Sequence, residues 1–134
     1  MMLNDKTITD KVGILDELAM AFEVSVIAFP AEDYMREFCD FYEIKNRDLK
    51  LIPSPNPFRE ALRELAGDDV WRPIAEQAES LFGAPKCVKV FEDDKALRDE
   101  LEGPDGLAPF FFVFDLMFCE YEGFTLCYIS GTNN

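Results

Sequence analysis

The sequence contains no histidine. That removes the usual general base near neutral pH, the commonest zinc ligand, and the Ser-His and Cys-His pairs that activate a nucleophile. Its seven glycines never fall into GxGxxG or GxxxxGK, so no loop carries the pattern that cradles a nucleotide phosphate. Basic residues are scarce: 13 Lys and Arg stand against 27 Asp and Glu, a net charge of −14. Such a charge repels a phosphate backbone and argues against a nucleic-acid partner. Long apolar runs are missing as well. The longest, Ala108 to Cys119, covers about a dozen residues and includes Asp115, short of the ~20 apolar residues of a membrane-spanning helix. The opening MMLNDKTITD has no basic region followed by an apolar core and a small-residue cleavage site, so a cytoplasmic location with no membrane partner is expected.

Cysteine is sparse and irregularly spaced. Cys39, Cys87, Cys119 and Cys127 stand 48, 32 and 8 residues apart, which fits neither CxxC metal pairs nor a small disulfide framework. They are expected to be buried, reduced thiols. Glu92, Asp93 and Asp94 form an acidic string without the spacing or distal Glu of a calcium loop. No metal and no other cofactor is therefore expected.

What the chain has is apolar surface. At 49% hydrophobic and 13% aromatic residues over 134 positions, it can build one core, and residues 1–134 are expected to form a single globular domain. Ile8, Val12, Leu15, Leu18, Ala19 and Phe22 recur at helical spacing, with Asp16 and Glu17 on the other side, predicting a helix over 8–22. SVIAF at 25–29 reads as a strand stopped by Pro30. A helix is expected to start there, with Pro30, Glu32 and Asp33 in its first turn and Tyr34, Met35, Phe38, Phe41 and Tyr42 buried. DLKLI at 48–52 reads as an edge strand ended by three prolines. Asn56 is placed to cap a helix that buries Phe58, Ala61, Leu62 and Leu65 and exits at Gly67. A partner helix runs from Asp68 or Asp69 to Phe82, followed by a strand at 87–91. A helix capped by Asp93 or Asp94 and closed by Gly103 leads to a further strand, reading as a crossover unit. The expected fold is α/β or α+β, with a small mixed β-sheet, about five helices and a C-terminal β-hairpin.

The hairpin can be laid out residue by residue. With Glu122 and Gly123 as a two-residue turn, Tyr121 pairs with Phe124. One face then carries Asp115, Met117, Cys119 and Tyr121 beside Phe124, Leu126, Tyr128 and Ser130. The other carries Phe114, Leu116, Phe118 and Glu120 beside Thr125, Cys127, Ile129 and Gly131. Both faces are mostly apolar, so both should be covered, by helices or by a subunit partner. Asp115 either hydrogen-bonds Ser130 or a nearby amide within the core, or forms with Tyr128 and Ser130 the floor of a candidate pocket.

Charge is unevenly distributed. Residues 92–122 hold ten acidic and two basic side chains, net −8, whereas residues 1–91 hold seventeen and eleven, net −6. An acidic excess keeps a small protein soluble, and it also complements a basic partner and speeds encounter with it. The candidate partner-binding residues are Asp94, Asp99, Glu100, Glu102 and Asp105, with Glu120 and Glu122 as a second cluster at the hairpin end.

FPAEDYMREFCDFYEI, Phe29 to Ile44, resembles the helix-opening pattern of the SUKH superfamily through Pro30, Asp33, Tyr34 and Phe38. Many bacterial members of that superfamily are immunity proteins, so the resemblance implies neutralisation of a toxin. The leading expectation is an acidic, non-enzymatic binding protein of the immunity type, with a basic protein partner. Two alternatives stay open. One is a small-molecule-binding or carboxylate-based enzyme domain using Asp115 and Tyr128; the other is a subunit of an obligate oligomer.

Overall fold

The computed structural model describes residues 5–41, 50–92 and 114–131. Within them are four helices, α1 (Lys6–Met20), α2 (Tyr34–Phe41), α3 (Phe58–Ala66) and α4 (Trp71–Phe82). Five strands accompany them: β1 (Val24–Pro30), β2 (Leu51–Pro53), β3 (Cys87–Phe91), β4 (Phe114–Tyr121) and β5 (Phe124–Gly131). The fold is α+β. The fifth helix expected after Glu92 lies outside the described residues.

The strands form one sheet in the order β1-β5-β4-β3-β2, and every neighbouring pair is antiparallel. This corrects the mixed sheet and the crossover unit read from the sequence. A strand-helix-strand pattern does not define direction, because the connection can bring the chain back beside the first strand from either end.

The hairpin register is as laid out above, from Tyr121↔Phe124 to Phe114↔Gly131. Gly123 supplies the left-handed backbone of the turn, with φ 85°. Both faces of the hairpin are covered. On one, Met117, Cys119, Tyr121, Phe124, Leu126 and Tyr128 share a core with Val12 and Leu15 of α1, Leu62 of α3 and Ile74 of α4. On the other, Phe118, Cys127 and Ile129 pack with Phe38 and Cys39 of α2 and with Phe29 and Phe91. Phe38 meets Phe118 edge-on at 5.3 Å and Phe29 at 6.3 Å, contacts worth about 0.5–1.5 kcal/mol each beyond area burial.

The helix starts differ from the sequence reading for backbone reasons. Pro30 does not open α2; it ends β1, opposite Phe124. It shares its alternation with Val26, whose N–H points away from β5 to Oδ1 of Asp16 at 2.8 Å, so the missing proline N–H deletes no ladder bond. Asp33, at φ 60°, then redirects the chain, and its carbonyl accepts from the Glu37 N–H at 3.0 Å. In α2 Phe38 is buried, Tyr34 and Met35 are half-buried and Phe41 is 50% exposed, against the stripe expected; Tyr42 lies outside the described residues. Pro57 rather than Asn56 occupies the cap position of α3. The Asn56 N–H donates to Ser54 Oγ at 3.1 Å. α4 begins two residues past Asp69, where the Gly67 carbonyl accepts from Val70 and Trp71 at 3.3 Å. Leu62, Leu65, Ile74 and Ala78 are buried, as helical periodicity predicts.

Candidate functional site

The parity of two strands builds a polar cluster at the turn end of the sheet. Cys87 and Lys89 alternate onto one face of β3, and the register sets Cys87 directly opposite Glu120 of β4. The first residue of α2, Tyr34, lies over the same face, and its ring packs 5.5 Å from that of Phe118. Its hydroxyl donates to Glu120 Oε2 at 2.6 Å, and Lys89 Nζ reaches the same oxygen at 3.0 Å. Burial by itself would raise the Glu120 carboxyl. Hydrogen bonds from Tyr34, Lys89 and Cys87, with the Lys89 charge, outweigh it and hold the group below its ordinary range. Conversely, burial and then the Glu120 carboxylate push the Tyr34 phenol and the Cys87 thiol up. The cluster therefore holds one ionised carboxylate among protonated donors. It fastens α2 to the sheet.

Glu120 is thus a half-buried carboxylate with its own cation. Glu122, at the turn, is 93% exposed and meets Lys86 Nζ at 3.0 Å. Each of the two hairpin-end carboxylates expected from the sequence thus has a lysine beside it. The other expected partner-binding residues, Asp94, Asp99, Glu100, Glu102 and Asp105, lie outside the described residues.

Of the candidate pocket, the register places Asp115 opposite Ser130. Tyr128 is wholly buried, its ring 6.0 Å from that of Phe58. The Tyr128 and Tyr121 hydroxyls lie near one another, and among the described residues neither has a partner in hydrogen-bond geometry. Burial pushes both phenols well above their ordinary range. Tyr128 is packed as a core side chain.

A cavity of about 420 Å³ opens elsewhere, lined by Ser54, Pro55, Asn56, Ala61, Glu64, Leu65, Val90, Leu116 and Met117. Its origin is in the sheet. β3 and β4 pair over three positions only, Cys87↔Glu120, Val88↔Cys119 and Lys89↔Phe118, although both strands continue past Lys89 and Phe118. Leu116 and Met117 alternate to opposite faces, so a space touching both reaches the unpaired edge of β4. One wall is set by Ser54, whose N–H donates to the Val88 carbonyl at 2.8 Å. Sequence reading missed this site, along with Tyr34, Lys89 and Cys87 as partners of Glu120. The same-face parity of Cys87 and Lys89 was a signal for the cluster; the strand separation had none.

Among the described residues no three His, Cys, Asp or Glu side chains converge as a metal site requires, and no helix is long and apolar enough to cross a membrane. No protein family, curated protein or solved structure matches the chain.

Proposed function

We propose that the chain is an acidic, non-enzymatic binding protein for a basic protein partner, and that neutralising a basic toxin, an immunity-type role, is its most specific form. The observation that carries this reading is the unbalanced charge. The described residues hold 19 acidic against 9 basic side chains, and six of those nine cations, Lys6, Arg36, Arg59, Arg63, Lys86 and Lys89, already stand in ion pairs. What remains is a negative field, which speeds encounter with a positive surface and selects against acidic competitors. A binding role is also favoured by the protonated state of the titratable nucleophiles. Cys87, Cys119 and Cys127 and Tyr34, Tyr121 and Tyr128 are all held above their ordinary ranges.

The test is association kinetics with the product of an adjacent toxin-like reading frame, at two salt concentrations. Steering fades as salt shortens the Debye length toward ~8 Å, so the on-rate should fall as salt rises. Neutralising Asp99, Glu100 and Glu102 together should lower it further. An on-rate indifferent to both changes would overturn the reading.

A further inference from the structure

We propose that the cavity between α3 and the diverging strands β3 and β4 is an anchor pocket for one long cationic side chain, arginine or lysine, of the basic partner. The inference rests on the proposed function and names where the partner is gripped.

Size comes first. A space of about 420 Å³ lies at the small end of ligand sites, roughly 300–1,000 Å³, and suits a single side chain. The lining has two parts. The half-buried Val90 offers apolar surface, backed by the buried Leu65, Leu116 and Met117, while the exposed Glu64 brings a carboxylate. A Lys or Arg side chain has the same division, a methylene stem that packs on apolar surface and a charged head that stays polar.

The charges around Glu64 show what the carboxylate lacks. Arg59 is held by Glu79 of α4. Arg63 is shared between Glu60 at 3.2 Å and Asp68 at 3.5 Å. Among the described residues no cation pairs with Glu64, and Glu60 stands one helical turn before it, a like-charge spacing that disfavours the helix. An incoming cation would give this exposed carboxylate a protein partner in place of water. The Ser54 and Asn56 amides on the cavity rim are both committed, to the Val88 carbonyl and to Ser54 Oγ, so that part of the lining need not reorder on binding.

The experiment has two arms. In the first, methyl signals of Val90, Leu116 and Met117 in the full chain are followed by NMR during titration with N-acetyl-arginine amide, N-acetyl-lysine amide and the uncharged N-acetyl-norleucine amide. The cationic probes should shift all three signals, the norleucine probe should not, and Glu64→Gln should abolish the shifts. No shift with either cation, equal shifts with norleucine, or unaltered shifts in Glu64→Gln would overturn the proposal. In the second arm, partner affinity is compared for Glu64→Gln and Glu60→Gln, which remove the same charge four residues apart. Glu64→Gln should weaken binding about tenfold, and Glu60→Gln less than twofold. Equal losses would sink the pocket while leaving electrostatic steering intact. Conversely, probe binding that requires Glu64 together with salt-independent partner association would support the pocket and remove the steering.

Discussion

The Tyr34 hydroxyl donates a 2.6 Å hydrogen bond to Glu120, 86 positions further along the chain, on the oxygen that also meets Lys89. One bond thus joins the head of α2 to the turn end of the sheet. Because Glu120 is held below its ordinary range, its contribution to stability is full above the unfolded carboxylate value, ~4.3, and is lost as pH falls through the lower folded value. Tyr34→Phe keeps the ring and removes the bond. We expect a loss of about 1–2 kcal/mol at pH 7 in urea unfolding, narrowing below pH ~4. A loss of the same size at pH 3 would assign the effect to packing.

Asp16 protects a sheet edge. β1 is an outer strand, and the Asp16 carboxylate takes the outward Val26 N–H at 2.8 Å. Asp16→Ala should cost about 1–2 kcal/mol and leave an unpaired edge donor that favours self-association. Asp16→Asn retains an acceptor and should recover most of the stability. Denaturant midpoints and sedimentation of the two variants check this; identical behaviour of Ala and Asn would refute it.

Among the described residues the buried Tyr128 hydroxyl has no partner in hydrogen-bond geometry, with the Tyr121 hydroxyl near it. Removing such a group relieves its desolvation cost, so Tyr128→Phe should stabilise the protein by about 1 kcal/mol and raise the midpoint of thermal unfolding by a few degrees. A drop in the midpoint would mean that the hydroxyl is satisfied by a buried water.

All four cysteines are reduced thiols. Cys119 and Cys127 pack into cores on opposite faces of the sheet, so their side chains diverge, whereas a disulfide needs Cβ atoms ~3.8 Å apart. Burial raises the thiols of Cys87, Cys119 and Cys127, and Cys87 is the one of these three that is not fully buried. In the native protein at pH 7, Cys87 should alkylate slowly and Cys119 and Cys127 not at all; denaturation without reductant should expose four reactive thiols. A Cys119–Cys127 bridge found by mass spectrometry would contradict the register.

Local pattern alone determined a good deal of this protein. The helical spacing of Val12, Leu15 and Ala19 and of Ala61, Leu62 and Leu65 marked their buried faces. The Glu122-Gly123 turn set the whole β4–β5 register, because a two-residue turn leaves one way to pair the flanking residues. The apolar character of both hairpin faces required cover on both sides, and α1, α3 and α4 provide it on one and α2 on the other. Strand direction, the true head of α2 and both polar sites were decided only by the tertiary structure. Pro30 suits a helix start or an edge strand equally well, and only pairing with Phe124 chose between them. Asp16 belongs to the polar face by period, yet β1 passes close enough for its Val26 amide to claim the carboxylate. Glu120 meets Tyr34 and Lys89, and Glu64 lines one cavity with Val90 and Leu116, through the approach of elements distant in sequence. Periodicity reports which way a side chain points along its own element; what it meets there depends on how the elements cross, and that is a property of the assembled fold.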